Sequence, residues 1–190
     1  WMFKVGDSAV YPTQGIGVIE AIESKDFGGV TADFYILRIV DSDMTIMVPT
    51  TNASHIGMRS PIDKKRVSSI FDVLGEKTKI SAIASWSRRQ REYNDKLKTG
   101  DLFEVAEVLR ELYCIREDKE LSYGEKKVLE LARKLLVKEV ALAEGAVSTG
   151  SFTVKDAKLE EVNLYGRVLN DAEMGVLAAE LLGDLRHSDI

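Results

Sequence analysis

The stretch VYPTQGIGVIEAIE, residues 10–23, decides between two folds. Gly15-Ile16-Gly17 has the form of the opening of a dinucleotide-binding loop, in which a third glycine opens a helix whose N-terminus faces the phosphates. That third glycine is absent, and Val18-Ile19-Glu20-Ala21-Ile22 continues as a strand. A nucleotide-binding unit is rejected. What remains is a turn between two strands.

Outward from this stretch the same pattern repeats. Ser8 to Tyr11, Ile16 to Glu23, Phe34 to Val40 and Thr45 to Val48 are rich in Tyr, Ile, Val and Phe. The breaks between them fall at Pro12, Gly15, Gly17, Gly28-Gly29 and Asp41-Ser42-Asp43. Several short strands in about fifty-five residues predict a small antiparallel barrel. After Asp63 the apolar period changes. Leu102, Val105, Ala106, Leu109, Leu112 and Tyr113 follow 3-4 spacing, as do Leu129, Ala132, Leu136, Val140 and Ala143. Gly100-Asp101 supplies a helix stop and the next start, and Ser122 with Glu125 has the form of a capping box. The expected fold class is α+β in two domains: a barrel over residues 1–60, then an all-α helical bundle over 61–147 that includes helices at Lys65 to Leu74 and Ser85 to Lys98. Residues 148–190 form an extension with a weaker helical pattern.

With 45% hydrophobic and 30% charged residues, the chain has an ordinary globular composition, and no stretch reaches the length of a membrane span. The opening residues carry a charge and a glycine where a signal peptide needs an apolar run, which predicts a cytoplasmic chain. Catalytic constellations are scarce. His55 and His187 have no ligand-type neighbours at metal spacing, and the single cysteine, Cys114, falls in a helical apolar pattern that reads as core. No enzyme activity, metal, cofactor or small-molecule substrate is expected.

The formal net charge is -5, yet Trp86 to Lys98 holds Arg88, Arg89, Arg91, Lys96 and Lys98 against only Glu92 and Asp95. Two readings of Trp86 are open. It could pack into the bundle beneath a solvated arginine face, or it could stack on bases or wedge into a minor groove while the arginines bind phosphates. Spacing alone does not separate them.

An ordered set of short motifs does. Phe3-Lys4-Val5-Gly6-Asp7, Val10-Tyr11-Pro12 with Gly15, Val48-Pro49, Gly57-x-Arg59, Trp86-Ser87-Arg88-Arg89, Ala106-Glu107-Val108-Leu109-Arg110 and Leu121-Ser122-x-Gly124-Glu125-Lys126 run in order over residues 2–145. Together they resemble the CarD/CdnL family of bacterial transcription regulators, nearer to its CdnL type. The resemblance implies a Tudor-like (SH3-like) N-terminal barrel that binds the RNA polymerase β subunit, and a helical domain that contacts promoter DNA at the upstream edge of the bubble. It implies that Trp86 is a minor-groove wedge stabilising the open complex and that Arg88, Arg89 and Arg91 hold phosphates.

On the polymerase side, Lys25 matches a basic position of relatives, whereas Met47 stands where some have arginine. Docking through a strand edge would use Thr45, Ile46, Met47 and Val48, against the plainer reading of these four as an ordinary barrel strand. The barrel also resembles the polymerase-interacting module of transcription-repair coupling factor. A second function is therefore an adaptor acting through protein partners without DNA, which a buried Trp86 would favour. Residues after about Gly145 depart from the family pattern; with four basic and eight acidic side chains in 151–190, they are not expected to touch DNA.

Overall fold

The computed structural model describes residues 2–76 and 85–143. The expected extension at 148–190 lies outside the described residues. Strands β1 (Ser8–Tyr11), β2 (Gly15–Phe27), β3 (Val30–Ile39) and β4 (Thr45–Pro49) form one antiparallel sheet in the order β1-β2-β3-β4, a half-barrel. The strands fall where the alternation predicts them, but β2 and β3 run further toward their shared turn. Gly28 and Gly29 both have positive φ, 65° and 93°, which is the backbone of a tight two-residue hairpin whose twist matches that of the strands. Gly15-Ile16-Gly17 opens β2, as the sequence requires. A Cβ on Gly17 would come within 2.8 Å of the Arg38 carbonyl oxygen, so only glycine lets β2 and β3 approach there.

Alternation sorts the side chains. Ile19, Tyr35, Leu37, Ile39 and Val48 turn inward with Phe3, Ala53 and Met58. The buried Tyr35 hydroxyl accepts the backbone N–H groups of Met2 at 2.9 Å and Phe3 at 3.2 Å, which ties the start of the chain to the core. After β4 the chain returns along β1, where Val10 and Arg59 exchange backbone hydrogen bonds of 2.8 and 3.2 Å.

A 3₁₀ turn, Lys64–Arg66, leads into α1 (Val67–Gly75), followed by α2 (Trp86–Thr99), α3 (Leu102–Asp118) and α4 (Tyr123–Ala143). Asp101 caps α3 by accepting the Phe103 N–H at 2.9 Å, and Gly100 ends α2 in the left-handed conformation. The periodic residues named for α3 are all buried, as are Leu129, Ala132, Leu136 and Val140 of α4. Cys114 is half-buried rather than enclosed. A small third cluster of Val10, Ile16 and Val40, with Leu142 against it, joins the barrel to α4. Among the described residues no helix is long and apolar enough to cross a membrane, and no cluster of His, Cys, Asp or Glu could hold a metal ion.

Candidate functional site

Packing against α4 and ring contacts within α2 set the first turn of α2. Trp86 is half-buried and packs against the helical core. Its ring lies on the first turn of α4, where a Cβ added to Gly124 would stand 3.0 Å from Trp86 Cζ2. Glycine is needed there for space, because any side chain would push the indole away. Tyr93, one helical repeat on, closes the inner side with ring centroids 6.4 Å apart. Burial, with Glu111 beside it, pushes the Tyr93 phenol well above its ordinary range, so it stays neutral. Arg89 lies 5.9 Å from the Trp86 ring centroid. The indole is therefore seated against α4 and Tyr93 and remains half-exposed.

The same turn separates the arginines. Arg89 donates to Glu125 at 2.7 Å, with side-chain exposures of 13% and 1%. Burial works against the charge on Glu125. The Ser122 backbone N–H at 2.8 Å, the Ser122 side chain, Arg89 and Lys119 outweigh it and hold the carboxyl at about 2. Ser122 in turn accepts the Glu125 N–H at 3.3 Å, completing the predicted capping box. Arg88 and Arg91 point outward and are exposed, and no ion pair holds either among the described residues. Lys96 is drawn the other way, to Glu107 on α3 at 2.9 Å. Of the five basic residues in this stretch, only Arg88, Arg91 and Lys98 are thus offered to solvent, with Arg89 and Lys96 engaged inside.

On the barrel, paired residues in an antiparallel ladder share a face. Lys25 pairs with Ala32, Met47 with Ile36 and Thr45 with Arg38, so Lys25, Thr45 and Met47 all lie on the outer face. Ile46 pairs with Leu37 and Val48 with Tyr35, so these two turn inward, and Val48 is fully buried. Their backbone groups face β3 as well: the Ile39 N–H bonds to Met44 and the Thr50 N–H to Asp33, and the alternation of an antiparallel ladder then makes Leu37 with Ile46 and Tyr35 with Val48 hydrogen-bonded pairs. The main-chain groups of Thr45 and Met47 face the open edge instead, because β4 is the last strand of the sheet and its far side pairs with no other strand among the described residues.

Sequence reasoning missed how apolar this outer face is. Phe27, Val30 and Met47 are exposed there, and Phe34 sits edge-on to Phe27 with centroids 5.8 Å apart. The signal was present. Val30, Ala32, Phe34 and Ile36 alternate with the inward Tyr35 and Leu37, so β3 is apolar on both faces, the pattern of a strand covered on both sides.

Sequence reasoning also missed the junction between the domains. Arg59 donates to both oxygens of Glu139 on α4, at 2.5 and 2.9 Å, and to the Gly100 carbonyl at 2.7 Å. Glu139 is buried and accepts the Ile62 N–H at 2.8 Å as well. Asp41, in the turn after β3, receives Lys134 at 3.1 Å and Lys138. Gly57 and Gly100 meet at the same place, where a Cβ on Gly57 would lie 2.6 Å from the Thr99 carbonyl oxygen.

A half-barrel with an open edge and apolar outer face, joined to a four-helix unit bearing a seated tryptophan beside outward arginines, is a binding architecture. Residues 3–62 match the family model for the CarD-like/TRCF RID domain, and residues 69–151 match that for the CarD C-terminal domain. The chain is also 36% identical over 146 residues to the Bacillus subtilis (strain 168) protein named Putative transcription factor YdeB, a match covering 76% of this chain and 94% of that one. The chain belongs to the CarD/CdnL family. The family consists of transcription factors associated with RNA polymerase and is not a known class of enzyme.

Proposed function

We propose that this protein works in the cytoplasm as a regulator of transcription initiation, binding the RNA polymerase β subunit through its barrel and stabilising the open promoter complex through α2. The polymerase contact uses the β4 edge and the outer sheet face: main-chain groups of Thr45 and Met47, backed by the inward Ile46 and Val48, the apolar side chain of Met47, and Lys25 at the rim. The DNA contact uses Trp86 as an apolar wedge in the minor groove at the upstream edge of the bubble, with Arg88 and Arg91 on phosphates. Arg89, engaged by Glu125, holds the indole and its turn in place. One observation supports this reading: a half-buried tryptophan seated against Gly124 and Tyr93, with Arg88 and Arg91, exposed and held by no ion pair among the described residues, following it in the same helix. A wedge must be rigid to separate stacked bases, and the packing supplies that rigidity.

The half-burial of Trp86 also favours a second reading, the adaptor that acts through protein partners alone. The two are separated by the lifetime of open complexes formed with purified holoenzyme on a promoter fragment. The wild-type protein should prolong that lifetime, and Trp86→Ala should lose most of the effect while still binding the β subunit. Because the ring is only half-buried, the truncation should cost about 1 to 2 kcal/mol of stability, below the 3 to 5 kcal/mol typical of an enclosed aromatic. A folded Trp86→Ala protein that prolongs the open complex as well as wild type would leave the adaptor reading standing.

A further inference from the structure

We propose that Tyr123 is a second aromatic contact to promoter DNA, stacking on an unpaired base beside the step that Trp86 opens. This rests on the promoter-contact reading of Trp86 and extends it to a residue outside the arginine-rich turn. Tyr123 is the first residue of α4 and is 74% exposed, more than any other large hydrophobic side chain among the described residues. Its chain neighbour Gly124 touches the Trp86 ring, so both aromatics sit at one helix end. Reciprocal capping by Ser122 and Glu125 fixes the backbone that carries Tyr123. Lys127, one turn on, places its ammonium 4.7 Å from the phenol centroid.

The surroundings favour a nucleotide over a protein. An aromatic anchor for a protein partner is normally ringed by apolar contacts, whereas Tyr123 is flanked by Ser122, Lys126 and Lys127, all exposed. A cation over one face of an exposed ring leaves the other face free and puts positive charge where a nucleotide brings its phosphate. Bases in an intact duplex present only their edges, so face stacking requires an unpaired base. The edge of a bubble supplies one.

The test uses holoenzyme, the full chain and a promoter fragment carrying 2-aminopurine at the upstream edge of the bubble. Tyr123→Ala should shorten the open-complex lifetime about five- to tenfold and raise 2-aminopurine fluorescence, as expected when one base–aromatic stack is lost. Tyr123→Phe should retain both properties, and neither variant should shift the melting temperature. Wild-type lifetime and fluorescence with Tyr123→Ala would overturn the inference, as would weakened binding of Tyr123→Ala to holoenzyme without DNA, which would make Tyr123 a protein contact. Trp86→Ala, run alongside, tells the two readings apart. If it alone shortens the lifetime, only Tyr123 is dismissed; if neither variant does, the promoter reading is dismissed as well.

Discussion

Glu125 and Glu139 lie on the same helix, are both almost fully buried, and are wired alike. Each accepts a backbone N–H, from Ser122 and Ile62 respectively, and each binds a guanidinium, from Arg89 and Arg59. Their settings differ. Glu125 closes a cap three residues away and reaches across to α2 within one domain. Glu139 takes partners 77 and 80 residues away and holds the barrel against the bundle. The first carboxylate shapes the turn that carries Trp86; the second sets where that turn lies relative to the barrel. One chemistry thus serves a local site and a global orientation, and α4 connects them.

The larger effect is expected at Glu125. Glu125→Ala removes the buried carboxylate that Arg89 binds and the half of the capping box that satisfies the Ser122 N–H, a loss of about 3 to 5 kcal/mol by denaturant unfolding. The pH dependence gives an independent check. Because the folded protein holds this carboxyl at about 2, below its ordinary 4.5, the stabilisation is present in full above about pH 5 and is lost as pH falls through 4.5 toward 2. That component is on the order of 3 kcal/mol and should disappear from the pH profile of Glu125→Gln. An unchanged acid limb in that variant would assign the loss to other carboxylates.

The comparison sharpens at Glu139. Arg59 is 28% exposed on its side chain, so water can re-solvate it once Glu139 is gone. Glu139→Ala should therefore cost less, about 2 to 3 kcal/mol. Its distinctive outcome is mechanical: the domains should reorient, detectable as a broadened interdomain distance distribution between labels on the barrel and on α3. Binding to the β subunit should persist, because Lys25, Thr45 and Met47 take no part in the Arg59–Glu139 and Asp41–lysine contacts of the junction, while the open-complex effect should fall. Loss of β binding would show that the barrel surface depends on its neighbour.

What the sequence made legible follows the same division. Alternation over Ser8 to Tyr11 and Thr45 to Val48, 3-4 spacing in α3, and the Ser122/Glu125 box are all short-range, and each falls where it was read. Arg59 could be seen as part of a motif, but nothing local says that its guanidinium crosses to α4. Asp41 could be read only as a turn residue, although Lys138 lies 97 positions away in the sequence and reaches it in the fold. Nor could spacing separate Arg88 from Arg89: adjacent helical residues differ by about 100° of rotation, and which of them faces α4 depends on how two helices dock.

The smallest change in stability is expected on the outside of that turn, and it is the most discriminating. Arg88→Ala and Arg91→Ala remove exposed side chains that no ion pair holds among the described residues, so each should leave stability within about 0.5 kcal/mol of wild type. Arg89→Ala, one residue over, leaves the buried Glu125 carboxylate only Lys119 and Ser122 as partners and should destabilise the protein by several times as much. In open-complex assays with holoenzyme the order should invert for salt dependence. If Arg88 and Arg91 each neutralise one phosphate, each substitution should lower the magnitude of the slope of log K against log salt by about one and weaken binding alike across promoters. Arg89→Ala should weaken binding through its effect on the fold and leave that slope nearly unchanged. Equal slopes for all three variants would mean that inward and outward arginines act alike on DNA, and the division drawn from their burial would not carry over to the promoter complex.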